Sequence, residues 1–398
     1  MPGKTRDAMR YATRCSAAFA FGLATACTQA PTLDTKPTST VAAVQSAATS
    51  APAPAATYTN PPPLIAGAHW HHFHFNTTDP NAAIAYYTKH FDAKRARFAG
   101  LSDAVWTQKS WLLFTKVNTK PSTAHDTAIW HVGWGAPDPK AEFERQTELG
   151  NTFFQPLTDI STSLGGRPDR FYYMYVESPD GTWIELNTAR TDNFGHMHLF
   201  AADPIATGDW YIKFFGATGR ALSTPDAPSR NPRISLTGLQ VGPSSSLYLD
   251  NVNMIIYPIQ YSQKAYASDW EPGQTELAST RGNVNDHFGI SVPNLDEALG
   301  VLRANGVKVT QEPRDVQGKF KFAFIDGPDH VAIELIEDHT EHPPEEKWRL
   351  LAPLCDHRNQ GSSAAVCLIC SSRRSRLELR FARDFRSMNV TYGTMKRM

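Results

Sequence analysis

The chain has 398 residues, which is more than one average domain needs and suits about two. Its formal net charge is zero, so overall charge does not indicate nucleic acid or an acidic partner. None of the five cysteines lies between residues 28 and 354. The centre of the chain therefore has no disulfides and no thiolate ligands, and a metal there would have to be held by nitrogen and oxygen.

The N-terminus is typical of an export signal. A basic segment precedes an apolar run, Ser16 to Ala26, which at 11 residues is too short to span a membrane. The run ends in ATAC at residues 24–27, similar to a bacterial lipoprotein cleavage box, so residues 1–27 are predicted to be a lipoprotein-type signal peptide with a lipid on Cys27. We therefore expect an extracytoplasmic protein anchored in the bacterial periplasm. Ordinary signal cleavage and secretion is the alternative.

The two segments that flank the central part are predicted to lack a folded core. Residues 28–63 are rich in Ala, Thr, Ser and Pro with two charged side chains, a composition that predicts a disordered linker. Residues 341–398 form an atypical, arginine-rich basic tail, predicted to be poorly ordered, whose lone Cys367–Cys370 pair lacks the second pair that a zinc site needs. We expect no nucleic-acid partner and a monomer or homodimer.

One pattern occurs four times between these ends: a strand-like stretch with a histidine seven residues before an Asp or Asn. The four pairs are His72 and Asp79, His131 and Asp138, His196 and Asp203, and His287 and Asn294. The first and third copies align at an offset of 124, and the second and fourth end in matching strands that carry Glu185 and Glu334. A helix and about three strands follow each first strand, so the chain predicts an α+β fold of four βαβββ modules. The predicted helices are 81–91, 139–149, 205–215 and 295–305, and the predicted later strands include 111–117, 171–176, 251–257 and 320–325.

Strand parity predicts that the histidines face a cavity. Side chains alternate between the two faces of a strand, so His72 is expected to share a face with Trp70 and His74, opposite Phe73 and Phe75. The other three histidines and both glutamates also lie opposite apolar neighbours. Two histidines plus one carboxylate form the minimal ligand set for a divalent metal with open coordination positions, and the chain supplies that set twice.

The repeats resemble the modules of the vicinal oxygen chelate (VOC) superfamily, which includes glyoxalase I, extradiol ring-cleaving dioxygenases and fosfomycin- or bleomycin-resistance proteins. HFHFNTTDPNAAIAYYTKHF (72–91) is typical of a module start and YVESPDGTWIEL (175–186) of a module end. The resemblance implies two half-barrel domains of two paired modules each, which are residues 64–190 and 191–340 if modules pair in sequence order. Swapped pairing, first with fourth and second with third, is the alternative, and both arrangements yield two histidines and one glutamate per site.

The resemblance also implies the metal ligands, which come from the first strand of each paired module and from one last strand. Carried across by position, they are His72, His131, Glu185, His196, His287 and Glu334. The expected metal is Fe²⁺ or Mn²⁺, with Zn²⁺ or Ni²⁺ as alternatives.

The acidic fourth ligand that glyoxalase I enzymes carry at the end of the odd module is absent from strands 111–117 and 251–258. The three-ligand set is closer to extradiol dioxygenases, and Tyr175 falls where those enzymes have a catalytic tyrosine. The histidine that they carry upstream of it has no counterpart, because Gly165 and Gly166 occupy that neighbourhood. The first expectation is therefore a ring-cleaving metalloenzyme acting on a small vicinal-oxygen substrate. The alternatives are a glyoxalase- or lyase-type enzyme, a non-catalytic small-molecule binding (resistance) protein with relict ligands, and metal bound purely for stability.

Overall fold

The computed structural model describes residues 60–164, 166–189, 191–219, 231–235 and 238–340. The predicted signal peptide, the basic tail and nearly all of the predicted linker lie outside these residues. Within the described part of the chain, no helix is long and apolar enough to cross a membrane.

The four predicted modules are all present. The first comprises β1 (His69–Thr77), α1 (Pro80–His90), β2 (Lys94–Phe98), β3 (Ser102–Thr107) and β4 (Ser110–Lys116). The second comprises β5 (Ile129–Ala136), α2 (Pro139–Glu148), β6 (Phe153–Asp159), β7 (Tyr172–Glu177) and β8 (Trp183–Thr188).

The third module is the most elaborate of the four. It comprises β9 (Phe194–Ala201), α3 (Pro204–Phe215), β10 (Thr218–Gly219), β11 (Arg233–Ile234), β12 (Gln240–Gly242), β13 (Ser245–Leu249), β14 (Val252–Pro258), α4 (Ile259–Ala265) and a 3₁₀ turn (Ala267–Asp269). The fourth comprises β15 (Asn285–Ser291), α5 (Leu295–Ala304), β16 (Val309–Val316), β17 (Phe320–Asp326), a 3₁₀ turn (Pro328–His330) and β18 (Ala332–Asp338). The predicted helices and quoted strands agree with α1, α2, α3, α5, β4, β7, β14 and β17 to within one residue at each end.

The Asp or Asn of the repeated pattern caps the helix of its module. Asp79, Asp138, Asp203 and Asn294 each have extended backbone angles and accept hydrogen bonds from backbone N–H groups of the first helical turn. In the first three modules a proline follows the cap, where its fixed φ suits a helix and its missing N–H costs nothing. The seven-residue offset therefore runs from the strand histidine to the residue that caps the following helix.

Replacing Asp203 with alanine is expected to lower the free energy of unfolding by about 1 kcal/mol. Its carboxylate accepts hydrogen bonds of 3.0 Å from the backbone nitrogens of both Ile205 and Ala206, which would lose that partner. Urea denaturation measures the change, and Asp203→Asn is the matched control because asparagine caps helices equally well. An equal loss in both variants would show that the cap is not the cause.

Sixteen of the eighteen described strands form two open eight-stranded sheets, and β11 pairs only with β12. The 1–4 sheet joins modules one and four in the order β16-β17-β18-β15-β1-β4-β3-β2, and the 2–3 sheet joins modules two and three in the order β10-β13-β14-β9-β5-β8-β7-β6. The swapped pairing is therefore the one that the chain adopts. Each sheet takes strands from both of the ranges 64–190 and 191–340, so these ranges do not each form a sheet of their own.

The faces opposite the histidines pack into a shared apolar core. The Trp70 ring on β1 stacks on Phe288 of the same sheet, with ring centroids 5.5 Å apart, and on Phe194 of the 2–3 sheet, at 6.0 Å. Both sheets contribute residues to this one buried cluster. The core therefore lies behind the strands that carry the histidines.

A β-bulge alters the predicted parity of β1. The pairing with β15 shifts register between Trp70 and His72, so His71 is an extra residue there. The parity prediction is right for Phe73, which is in the core, and wrong for Trp70, which packs in the core with it rather than beside His72. The bulge also brings the His71 side chain into contact with that of His72.

Candidate metal centres

The described residues contain two clusters that could each hold a metal, both made of three histidines and one glutamate. The His72 site consists of His72, His74, His287 and Glu334. The His131 site consists of His131, Glu185, His196 and His198. Within each cluster one donor atom per residue lies within 4.8 Å of all the others. Opposite ligands of a bound metal are about 4.2 Å apart, so small side-chain movements would bring all four donors onto one ion.

All six ligands that the sequence predicted lie in these clusters, grouped by the swapped pairing. In the 1–4 sheet, β1 and β15 are antiparallel neighbours and place His74 opposite His287, while the parallel strand β18 places Glu334 beside Gly289. In the 2–3 sheet, β5 and β9 place His131 opposite His198, and the parallel strand β8 places Glu185 beside Gly133. Each centre therefore draws ligands from two modules.

Two glycines make room for the histidine rings. A Cβ atom on Gly289 would lie 2.1 Å from Cε1 of His72, and one on Gly133 would lie 2.0 Å from Cε1 of His196. Both distances are far below van der Waals contact, so any residue with a Cβ atom at these positions would displace the rings. These glycines stand two residues after His287 and His131 on the site-facing side of their strands.

His74 and His198 are the site residues that the sequence-based ligand set missed. They stand where the even modules have glycine, and the last strands beside them carry Leu113 and Ile255 where the even modules carry glutamate. The odd modules thus lack the acid, as the sequence indicated, but supply a second histidine instead. The available signal was the repeated His-x-His at 72–74 and 196–198, which keeps the offset between the two copies.

The donor atoms fit a divalent cation. The Nε2 atoms of His72 and His196 are buried and have no hydrogen-bond partner, and they lie 3.6 and 3.8 Å from the carboxylates of Glu334 and Glu185 respectively. A buried nitrogen without a partner costs free energy, and a cation shared with the carboxylate would offset that cost. Nitrogen and oxygen donors of this kind suit Zn²⁺, Fe²⁺, Ni²⁺ or Mn²⁺.

The protonation states of the His131 site suit metal binding, whereas at the His72 site the pKa of His287, which burial alone would lower, is raised by hydrogen bonds to Asp286 and Glu334. Burial lowers the pKa of His131 to about 4 and also lowers the pKa values of His72 and His198 well below their usual range. Burial alone would raise the pKa of Glu185, but interactions with His131 and His196 outweigh it and hold the pKa well below its usual range. Neutral imidazoles beside an ionised carboxylate are the forms that bind a cation.

Tyr175 lies inside the His131 site. Its hydroxyl donates a 2.7 Å hydrogen bond to Oε2 of Glu185, and Nδ2 of Asn187 donates one of 2.8 Å to Oε1 of the same carboxylate. Burial, together with the nearby carboxylate, raises the pKa of Tyr175 well above its usual range. The phenol therefore stays protonated at neutral pH and acts as a hydrogen-bond donor beside the metal ligands.

Comparison with known proteins identifies similar sequences and folds. Residues 193–335 match the sequence model of the Glyoxalase/Bleomycin resistance protein/Dioxygenase superfamily. Lactoylglutathione lyase of Escherichia coli O157:H7 is 28% identical over 144 residues, which are 36% of this chain and 90% of that protein. The Salmonella typhimurium lactoylglutathione lyase is 44% identical over 57 residues, 14% of this chain and 42% of that protein. Glyoxalase I from Zea mays aligns with 68% of this chain and 92% of its own, with a TM-score of 0.49 and 16% identity.

Proposed function

We propose, on the premise that this chain belongs to the Glyoxalase/Bleomycin resistance protein/Dioxygenase superfamily, that it is a divalent-metal-dependent enzyme acting on a small substrate with two neighbouring oxygen atoms. The reaction that we favour is an isomerisation or lyase-type proton transfer. The relatives named lactoylglutathione lyase support this choice, which reverses the order in which the sequence motifs alone ranked the two reactions.

The number of donors in each cluster carries the proposal. Four protein ligands leave two positions on a six-coordinate ion, which is enough for two vicinal oxygens of one substrate. Ring-cleaving oxygenation needs a third position for O₂ beside a chelating diol. With His74 and His198 present, the ligand count therefore favours chemistry that needs no oxygen.

The side chains around the His131 site suit a proton transfer. A bound metal would act as a Lewis acid that polarises the substrate oxygens. Glu185 is an ionised carboxylate whose Oε2 faces the histidine donors, so its second oxygen, Oε1, can take a proton from the substrate carbon beside a polarised carbonyl and return it to the neighbouring carbon while Oε2 would hold the metal. Tyr175 donates its one O–H to Glu185, and we propose that it turns this hydrogen bond to a substrate oxygen as negative charge develops there. The proton and electron pair stay within the substrate, so no external oxidant is required.

Ring-cleaving oxygenation is the second candidate. One observation favours it: the tyrosine expected from the dioxygenase resemblance does lie within hydrogen-bond distance of the metal-ligand carboxylate. This reaction would need one of the four donors to leave the metal.

Metal-reconstituted assays test the proposal. The purified full-length protein is stripped with a chelator, reloaded separately with Zn²⁺, Ni²⁺, Fe²⁺ or Mn²⁺, and given phenylglyoxal with and without glutathione, or catechol with an oxygen electrode. We expect up to two equivalents of metal and metal-dependent conversion of the 2-oxoaldehyde without oxygen uptake. Comparing the assays with and without glutathione shows whether a thiol is part of the substrate.

The double variant Glu185→Gln/Glu334→Gln is the control, and it should lose activity by about 10³-fold or more because both carboxylates are replaced. Oxygen uptake with catechol and Fe²⁺ would instead support the second candidate. Failure to bind any divalent metal would overturn the proposal.

A further inference from the structure

The two metal centres are built alike but differ in the residue opposite the glutamate. On β7, Tyr175 pairs with Glu185, and on β17, Phe324 pairs with Glu334. The hydroxyl that contacts the carboxylate in the His131 site is therefore missing from the His72 site. The same position holds a proton donor in one centre and an apolar ring in the other.

Packed apolar side chains line one side of the His72 site, although its ligand His74 is half-exposed. Trp111, which pairs with His72, is 1% exposed, and Ile336, two residues after Glu334, is fully buried. Phe98 on β2 meets Phe320 on β17 with ring centroids 5.2 Å apart, so the two modules touch each other across the site-facing side of the sheet. These side chains belong to a second buried apolar cluster.

The equivalent positions around the His131 site are polar and half-exposed. Asn253 pairs with His196 as Trp111 pairs with His72, and Asn187 stands where the other sheet has Ile336. At these two register positions, the His131 site therefore offers polar side chains and the His72 site packed apolar ones.

Polar partners fix the histidines of the His72 site. Nδ1 of His72 is 2.8 Å from Nδ1 of His71, whose Nε2 is 3.1 Å from the carboxylate of Asp338. Nδ1 of His287 is 2.5 Å from the Asp286 carboxylate. Each hydrogen bond orients a ring so that its Nε2 faces Glu334, the arrangement that strengthens histidine as a metal ligand.

The His131 site supports its carboxylate instead of its histidines. The Nδ1 atoms of His131 and His198 have no hydrogen-bond partner, whereas Glu185 accepts hydrogen bonds from both Tyr175 and Asn187. Ligands held less rigidly allow the coordination to rearrange as a substrate binds. A carboxylate with its own proton donor suits acid–base chemistry.

We infer that the His72 site is a structural metal centre that fastens module one to module four, and that substrate binds only at the His131 site. The assignment of the reaction to the His131 site rests on the proposed function. Because the ligands of the His72 site come from opposite ends of the folded chain, its metal binds the folded state and stabilises it by mass action.

Cobalt with a vicinal-oxygen probe tests the inference. The full-length protein is loaded with Co²⁺, whose visible spectrum reports its ligands, and titrated with acetohydroxamate, a small chelator that presents two neighbouring oxygens. His198→Ala/Glu185→Gln leaves only the His72 site, and the matched variant His74→Ala/Glu334→Gln leaves only the His131 site. We expect acetohydroxamate to change the spectrum of the second variant alone and Co²⁺ to raise the melting temperature more in the first.

Substitution of His71, whose side chain orients His72, gives an independent measurement of metal binding at the His72 site. In the variant that keeps only the His72 site, His71→Gln should weaken Co²⁺ binding by about 10–100-fold, because the hydrogen bond that orients His72 is changed. If a variant does not fold, the wild type with two Co²⁺ serves instead, and only one of the two ions should respond to the probe.

The outcomes separate this inference from the proposed function. A spectral response at both centres, or at the His72 site alone, overturns the inference and leaves the proposed function standing. A silent His72 site with a responsive His131 site supports the inference even if no test substrate is turned over. Absence of Co²⁺ from both variants and from the wild type overturns both proposals.

Discussion

Replacing Gly133 with alanine is expected to remove the metal from the His131 site and to abolish turnover. The new methyl group would lie 2.0 Å from Cε1 of the His196 ring, so the ring must leave its position. Overpacking of a buried position costs about 1–3 kcal/mol, and a displaced donor then lowers metal affinity at this site by roughly 100-fold. Metal analysis after dialysis should find one equivalent in place of two.

Two other glycines supply the controls for this substitution. Gly300 lies within α5, and no neighbouring atom lies within 4 Å of the position that its Cβ would take, so Gly300→Ala should keep both metals and stabilise the helix by up to about 1 kcal/mol. Gly289→Ala should clash with His72 in the same way and empty the other site. Two retained equivalents in Gly133→Ala would show that His196 is not a required ligand.

Replacing Tyr175 with phenylalanine is expected to lower kcat by about 100-fold while leaving the metal content unchanged. The hydroxyl is not one of the clustered donors, but it donates the 2.7 Å hydrogen bond to Glu185 and is the proposed donor to the substrate oxygen. The substitution also recreates the arrangement of the other centre, where Phe324 stands opposite Glu334. Steady-state kinetics with phenylglyoxal, alongside metal analysis, measures both effects.

The reciprocal change, Phe324→Tyr, is the matched control for Tyr175→Phe. It adds a hydroxyl at the equivalent register position and should leave kcat unaltered, because the His72 site is proposed to take no substrate. A Tyr175→Phe variant with full kcat would exclude the tyrosine from the reaction. A loss of metal in that variant would point to a structural effect instead.

The repeats made much of the fold predictable because each local signal has a local cause. Asp203 begins a helix through its own side chain, and the histidine seven residues earlier lies on the strand that precedes it. Module pairing was not predictable, because both pairings bury the same apolar faces and bring together the same residue types. Only contacts between distant strands, such as His74 with His287, distinguish them.

The composition of the site was predictable in part for similar reasons. His72 and Glu334 follow from strand parity and the family resemblance, whereas Trp70 departs from parity because a bulge depends on the partner strand as well as on β1. His74 was identified as a neighbour of His72 on the same face but not as a fourth donor. Its role depends on Leu113, the residue that replaces the expected acid on the adjacent strand.

Modules two and three, which form the 2–3 sheet, lie between modules one and four along the chain, and this order affects the order of folding. All strands of the 2–3 sheet precede β15, so a chain that emerges from its N-terminus can complete that sheet first. Pairing His74 with His287 closes a loop about three times as long as pairing His131 with His198, which costs about 1 kcal/mol more in chain entropy. Until β15 arrives, β1 has an unpaired edge that can recruit a strand from another molecule. Chains that end before β15 are therefore expected to aggregate through β1, with their inner sheet already formed.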